Sequence, residues 1–161
     1  MTPVHARVAA AHRSVLIIII AIASSVAIYI VAGLYLVPGP ESQSEPDQSR
    51  LALIVVAVGL ALGSIALRRT QLSSSRLQAV AARRGTDGLI KHFFTVTLIL
   101  AALAEGIGIL AILVRLLGGT QLDVIVFGLV AAVILLSNLP RRAAWERAVD
   151  FFSSSRPGPI A

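Results

Sequence analysis

The amino-acid sequence predicts an all-α integral membrane protein with four transmembrane helices. Of its 161 residues, 57% are hydrophobic and only 14% are charged, whereas soluble domains carry about 25% charged residues. The mean hydropathy is +0.87. Four apolar stretches are about long enough to cross a hydrocarbon core of roughly 30 Å as helices. They comprise about residues 15–37, 51–67, 93–117 and 122–139.

The first stretch follows a basic N-terminal segment, residues 1–14. A basic start is typical of a secretory signal peptide, but the apolar run of about 23 residues exceeds the 7–15 residues of a signal peptide. We therefore predict an uncleaved first transmembrane helix, with a removed signal peptide as the alternative. The connection after it, residues 38–50, is rich in Pro, Gly and Ser and indicates a solvated acidic linker.

The second stretch carries small residues at every second position. Gly59 and Gly63 form a GxxxG pattern, which permits two helices to approach closely. Ala57 and Ala61 continue the alternation, so two sides of the helix carry only small side chains. The pattern predicts a helix with neighbours on both flanks. The alternative is the ordinary small-residue packing that is common in membrane helices.

The longest polar segment separates the second stretch from the third and is strongly basic. Residues 73–85 predict a short helix that ends at Gly85, and residues 85–88 (GTDG) predict a turn. No phosphate-loop spacing is present, so an anchor at anionic lipid head groups is favoured over a nucleotide site. The basic residues are Arg68, Arg69, Arg76, Arg83, Arg84 and Lys91.

The third stretch has one carboxylic acid, Glu105, at its midpoint. A charge at the bilayer centre costs roughly 2.5–3.5 kcal/mol on insertion scales, so such a residue faces a partner, a cavity or a pathway. A carboxyl group in apolar surroundings favours its neutral form and can carry a proton. Small residues one turn away predict a groove for another helix. The positions three and four residues away are Ala101, Ala102, Gly108 and Ile109.

Two polar residues of the apolar stretches bear on whether Glu105 has a partner inside the chain. Ser64 in the second stretch is a candidate, since a protonated acid can donate to a hydroxyl oxygen. Arg115 lies about 15 Å further along the same helix, which is too distant to neutralise the carboxyl group. Its long side chain can reach the lipid head groups instead.

The C-terminal tail, residues 140–161, predicts an amphipathic helix followed by a disordered end. Trp145, Val149 and Phe152 share one side, with arginines around it, as in a helix lying on the membrane surface. The last residues are rich in Ser, Pro and Gly.

The distribution of charge predicts the orientation. All of the 14 Lys and Arg residues except Arg50 and Arg115 lie in the N-terminus, the central polar segment or the C-terminus. By the positive-inside rule these three parts are cytoplasmic, and four helices agree with that parity. We therefore predict a multi-pass protein of the cell membrane whose basic residues touch anionic head groups.

Several classes of function are disfavoured. The chain has no cysteine, which excludes disulfides, thiolate metal sites and cysteine nucleophiles. No Ser/His pair, metal-ligand cluster or paired carboxylate is apparent, so we predict no enzyme, no cofactor and no metal. Nucleic-acid binding is also disfavoured, because basic residues in so apolar a chain set topology more often than they bind phosphodiesters.

Three motifs between residues 57 and 117 resemble the helical hairpin of subunit c, the proteolipid of F-type rotary ATP synthases. They are AVGLALG (57–63), AARRG (81–85) and ALAEGIGIL (102–110). The resemblance implies that Glu105 is the ion-carrying carboxyl, that the ion is a proton, and that Arg83 and Arg84 lie in the cytoplasmic contact loop. It also implies a ring of copies turning past an arginine of another subunit. The Gln and Pro of the family's loop motif are absent here, and this chain has an additional helix on each side of the hairpin.

Two functional hypotheses follow. The first is a small non-catalytic subunit or scaffold of a membrane complex, in which Glu105 hydrogen-bonds to another helix for assembly. The second is a subunit-c-like proton carrier that forms a ring. Both need other membrane subunits or further copies of this chain as partners. Both use the same supporting residues, which are Gly59, Gly63, Ser64, Ala101, Ala102 and Gly108.

Overall fold

The computed structural model describes residues 3–37 and 48–154. Within these ranges the chain forms five α-helices and no β-strand, so the predicted all-α class is confirmed there. The predicted linker lies mostly outside the described residues, at positions 38–47, as does the predicted disordered end at 155–161. The helices are α1 (Pro3–Tyr35), α2 (Gln48–Gln71), α3 (Ser74–Leu116), α4 (Gln121–Ser137) and α5 (Arg142–Ser154).

The core of the protein lies around α3, against which the other four helices pack. This helix buries side chains along most of its length, including Leu89, Leu100, Ile107 and Val114. In contrast, α2 buries only Ala57 and Ser64. The second helix is therefore a peripheral element of the bundle.

The exterior of the bundle is apolar. Large aliphatic side chains such as Ile17 (59% exposed), Val55 (70%) and Leu129 (60%) point outward. Three helices, α1, α2 and α3, are long and apolar enough to cross a membrane. The number is four if α4 and α5, which are bent by 43° at their junction, form one broken span. An apolar exterior on helices of this length is typical of a membrane protein.

The first helix begins before the predicted first stretch and includes most of the basic N-terminal segment. Residues 4–14 contain neither Gly nor Pro and are rich in Ala, the best helix former. Val8 in this segment is fully buried. Helix α1 also contributes Val15 and Val26 to the core.

The predicted short helix, the turn and the third stretch form one long helix, α3, which has a single break. Gly85 (φ 65°, ψ −164°) is the one residue inside α3 with non-helical backbone angles. A positive φ is accessible to Gly because it has no Cβ, and it ends the first segment at the predicted place. The chain then resumes the helix at once instead of forming a four-residue turn.

Helix α5 has the predicted apolar side, but that side packs against the protein. Trp145 (5% exposed) stacks on Phe93 of α3, with ring centroids 5.4 Å apart and an interplanar angle of 19°. Val149 is 1% exposed, and Phe152 is half-buried. The expected surface position on the membrane is replaced by a position on α1 and α3, because both helices extend beyond the predicted apolar stretches and offer a protein surface.

An ion pair joins α2 to α4 at the end of the bundle where α4 begins. Thr120 and Asp123 form a capping box, with the Asp123 backbone N–H donating to Thr120 Oγ1 and the Thr120 N–H donating to Asp123 Oδ2. Arg50 Nη2 donates to Asp123 Oδ1 at 2.8 Å. The carboxylate therefore caps its own helix and holds a neighbouring one.

Candidate functional site

Glu105 lies at the border between the buried and exposed faces of α3. Its side chain is half-buried. Ala101 and Gly108, one turn away on one side, are buried, whereas Ala102 and Ile109, one turn away on the other side, are exposed. The carboxyl group therefore lies at the exterior of the bundle.

Within the described ranges, Glu105 makes no hydrogen bond or ion pair. Ser64, the predicted partner, is buried, and its hydroxyl donates to the Ala61 carbonyl of its own helix at 2.8 Å. Arg115 Nη1 donates to the Gly119 carbonyl at 2.8 Å, at the end of α3. A carboxyl group without a partner among the described residues is available to a group from another molecule.

The predicted close approach at Gly59 and Gly63 does not occur among residues 3–37 and 48–154. A Cβ added at either position would meet nothing within 4 Å. The alternating alanines behave differently, since Ala57 and Ala61 line a cleft with Phe127 of α4. The alanine side of α2 therefore faces α4, whereas the glycine side contacts no described residue.

The contact between α2 and α3 brings the open glycines to the depth of Glu105. A Cβ added at Gly106 would lie 3.7 Å from Leu60 Cδ1. Their sequence neighbours, Glu105 and Gly59, therefore lie at about the same level along the bundle. Gly59 and Gly63 do not line the clefts that α2 forms with α4. We call this surface the open face: Gly59 and Gly63 of α2 with Ala102, Glu105 and Ile109 of α3.

The other supporting residue, Gly108, belongs to a closed contact with α1. A Cβ added there would lie 3.0 Å from Val26 Cγ2 and 3.5 Å from Tyr29 Cδ2. The small residues around Glu105 are therefore divided. Ala101 and Gly108 form packing within the chain, and Ala102 remains on the open face.

Arg83 and Arg84 are exposed in the last turn before the Gly85 break. They precede Glu105 by about 20 residues, or roughly 30 Å of helix. The structure places them far from the carboxyl group, at the same end of α3 as α5.

Sequence reasoning missed a set of polar contacts that joins distant segments at this end of the bundle. His12 Nε2 donates to the Pro140 carbonyl at 2.9 Å, and His92 Nε2 donates to the Gln71 carbonyl at 3.0 Å. Arg7 donates both bonds of a bidentate pair to Asp87, at 2.7 and 2.9 Å. No sequence signal identifies these pairs, because their members are far apart in the chain.

The described residues include His, Asp and Glu, the side-chain types that could ligate a metal ion in a chain without cysteine. No group of three His, Asp or Glu side chains among them is placed to hold a metal ion. The described residues offer one partly exposed carboxyl group, Glu105, at the level of Gly59 and Gly63, two glycines that contact no neighbouring helix.

Comparison with known proteins finds no relative. No protein-family model, curated protein or solved structure matches this chain.

Proposed function

We propose that this chain is a non-catalytic subunit of a membrane complex that assembles through the open face, with a second copy of itself as the simplest partner. Both termini and the central polar segment lie in the cytoplasm in this proposal. The observation that carries it is the position of Glu105. A carboxyl group on an apolar exterior is costly in lipid, and an interface would supply its missing hydrogen bond.

The glycines next to Glu105 support the same proposal. In lipid, helices associate by close van der Waals packing and by hydrogen bonds between helices, and small residues permit that approach. Gly59 and Gly63 have open space above them, at the depth where the carboxyl group needs a partner. The open face therefore combines the two features that drive association of membrane helices.

Cysteine cross-linking tests this proposal cleanly, because the chain has no cysteine of its own. We expect Gly59→Cys to form a disulfide-linked dimer on oxidation in native membranes. Leu129→Cys is the matched control, since Leu129 is exposed on α4 and not part of the open face. Cross-linking at both positions to the same extent, or at neither, would contradict the proposal.

The role of Glu105 in assembly is tested by adding a second substitution to Gly59→Cys. Glu105→Leu removes the hydrogen-bonding group and should lower the cross-linked fraction several-fold. Glu105→Gln keeps a donor and an acceptor and should retain most of it. If Glu105→Leu cross-links as well as the parent, the carboxyl group does not hold the interface.

A subunit-c-like proton carrier is the second candidate, favoured by one observation: Glu105 faces outward, where a group on another subunit can reach it. A carbodiimide reacts with a protonated carboxyl group in an apolar site, so labelling of Glu105 in native membranes should fade as the pH rises. Glu105→Gln is the unlabelled control. A closed ring of many copies that persists in Glu105→Gln would favour the carrier. Absence of labelling at every pH would exclude it.

A further inference from the structure

Two adjoining cavities form a groove between α2 and α4, next to the start of α5. The first cavity, of about 640 Å³, is lined by residues of α2, α3, α5 and the α4–α5 connection. The second, of about 620 Å³, lies between α2 and α4 alone. Both include Arg68, Leu72, Ser137 and Asn138. We call the two together the α2–α4 groove.

The groove has apolar walls and a basic rim. Phe93, Leu100 and Leu136 line the first cavity, and Ile65 and Val133 line the second. Such walls fit an acyl chain better than a polar solute.

Three arginines stand at the rim: Arg68, Arg69 and Arg141. Arg68 Nη1 donates to the Ser137 carbonyl at 2.6 Å, so its guanidinium bridges α2 and α4. Each guanidinium carries five N–H donors and suits the geometry of a phosphate group. The side chains of Arg69 and Arg141 make no hydrogen bond within the described ranges. The rim therefore offers positive charge that the bundle itself does not use.

We propose that the α2–α4 groove binds an anionic glycerophospholipid, with the phosphate at the arginines and an acyl chain along the apolar walls. This site is separate from the open face and does not depend on assembly there. Charge complementarity and the apolar length of the groove select a lipid over a soluble phosphate. The proposed orientation puts the rim at the cytoplasmic leaflet, where anionic lipids are found.

The chain contains the probe for this site. Trp145 is its only tryptophan and lines the first cavity. In bilayers that mix phosphatidylcholine with phosphatidylglycerol, bromine atoms on the acyl chains of either lipid quench its fluorescence when that lipid occupies the groove. We expect phosphatidylglycerol to compete about fivefold better than phosphatidylcholine, the ratio for about 1 kcal/mol from one arginine near a membrane surface. Equal competition by both lipids would overturn the proposal.

A pair of double variants separates the groove from general surface charge. Arg69→Gln/Arg141→Gln removes two rim charges whose side chains make no described hydrogen bond, so the fold should persist. Arg83→Gln/Arg84→Gln removes two exposed charges at the same end of the bundle, away from the groove lining. The first variant should lose most of the preference for phosphatidylglycerol and the second should keep it. An equal loss in both would show surface attraction only.

A soluble phosphate ester tests whether the acyl chain is needed for binding. Soluble glycerol phosphate should not displace the brominated lipid. Displacement by it at millimolar concentration would assign the site to a free phosphate ester instead.

Discussion

Glycines on the two flanks of α3, one towards α1 and one towards α2, have opposite packing environments, although nothing in their immediate sequence distinguishes them. On the flank towards α1, a Cβ at Gly108 would lie 3.0 Å from Val26 Cγ2, and between α4 and α1 a Cβ at Gly128 would lie 2.5 Å from Ile30 Cδ1. On the flank towards α2, Gly59 and Gly63 face open space. The first set closes the core made by α1, α3 and α4. The second set lies on the peripheral helix and is available to another molecule.

The comparison teaches that α2 is held differently from the other long helices. It buries two side chains and is tied to α4 at both ends, by Arg50 to Asp123 and by Arg68 to the Ser137 carbonyl. Helix α2 packs on the core with partly buried side chains such as Leu60, and polar contacts at both ends add to its attachment. An interface between copies can therefore use α2 without disturbing the core.

The largest effect on stability should come from placing a large side chain at a glycine that packs closely against another helix. Gly108→Leu forces a large side chain against Val26, whose β-branched side chain has little freedom to move. Overpacking of this kind costs about 1–3 kcal/mol of unfolding free energy. Thermal unfolding in detergent micelles measures it. A melting temperature unchanged from the parent would show that the α1 and α3 contact is looser than the structure indicates.

The next effect should come from the ion pair that ties α2 to α4. Asp123→Ala removes the capping box and leaves Arg50, whose Nε is already buried without a partner in the described residues. The loss should be about 1–2 kcal/mol, the typical cost of a lost cap with an added unpaired charge. Asp87→Ala, at the exposed pair with Arg7, is the control and should cost less than about 1 kcal/mol. Equal losses would mean that α2 is held by packing alone.

The smallest effect on unfolding should come from the open glycines. Gly63→Leu meets no neighbour in the bundle, so its unfolding free energy in micelles should change by less than about 0.5 kcal/mol. The same substitution should reduce cross-linking of Gly59→Cys in membranes, because it fills the proposed interface. A large loss of stability in micelles would place this side of α2 against its own chain.

Much of the local structure could be predicted because it depends on residues close together in the chain. Long apolar stretches become helices, Gly85 ends a helical segment, and Trp145 and Val149 share one side of α5. Helix ends were less predictable. The Ala-rich residues 4–14 can form a helix, but their composition does not reveal that Val8 is buried under neighbouring helices.

The candidate site was predicted in part. Glu105 stands out because an acid among about 25 apolar residues is rare and costly. Its hydrogen-bonding environment was not predictable, and Ser64, the nearest hydroxyl by sequence reasoning, bonds to Ala61 in its own helix. Gly59 and Gly108 both lie among small residues in the sequence, yet Gly108 packs against α1 and Gly59 contacts no neighbouring helix.

By itself the sequence determined the all-α class, the apolar stretches and the presence of one carboxyl group in the middle of the third, because these follow from composition and from the period of a helix. Only the tertiary structure decided which glycines are covered, that α5 packs on the protein, and that Arg68, Asn138 and Arg141 meet in one groove. Those features depend on approaches between residues tens of positions apart. Local propensity carries no information about such approaches, since they are set by the packing of whole helices.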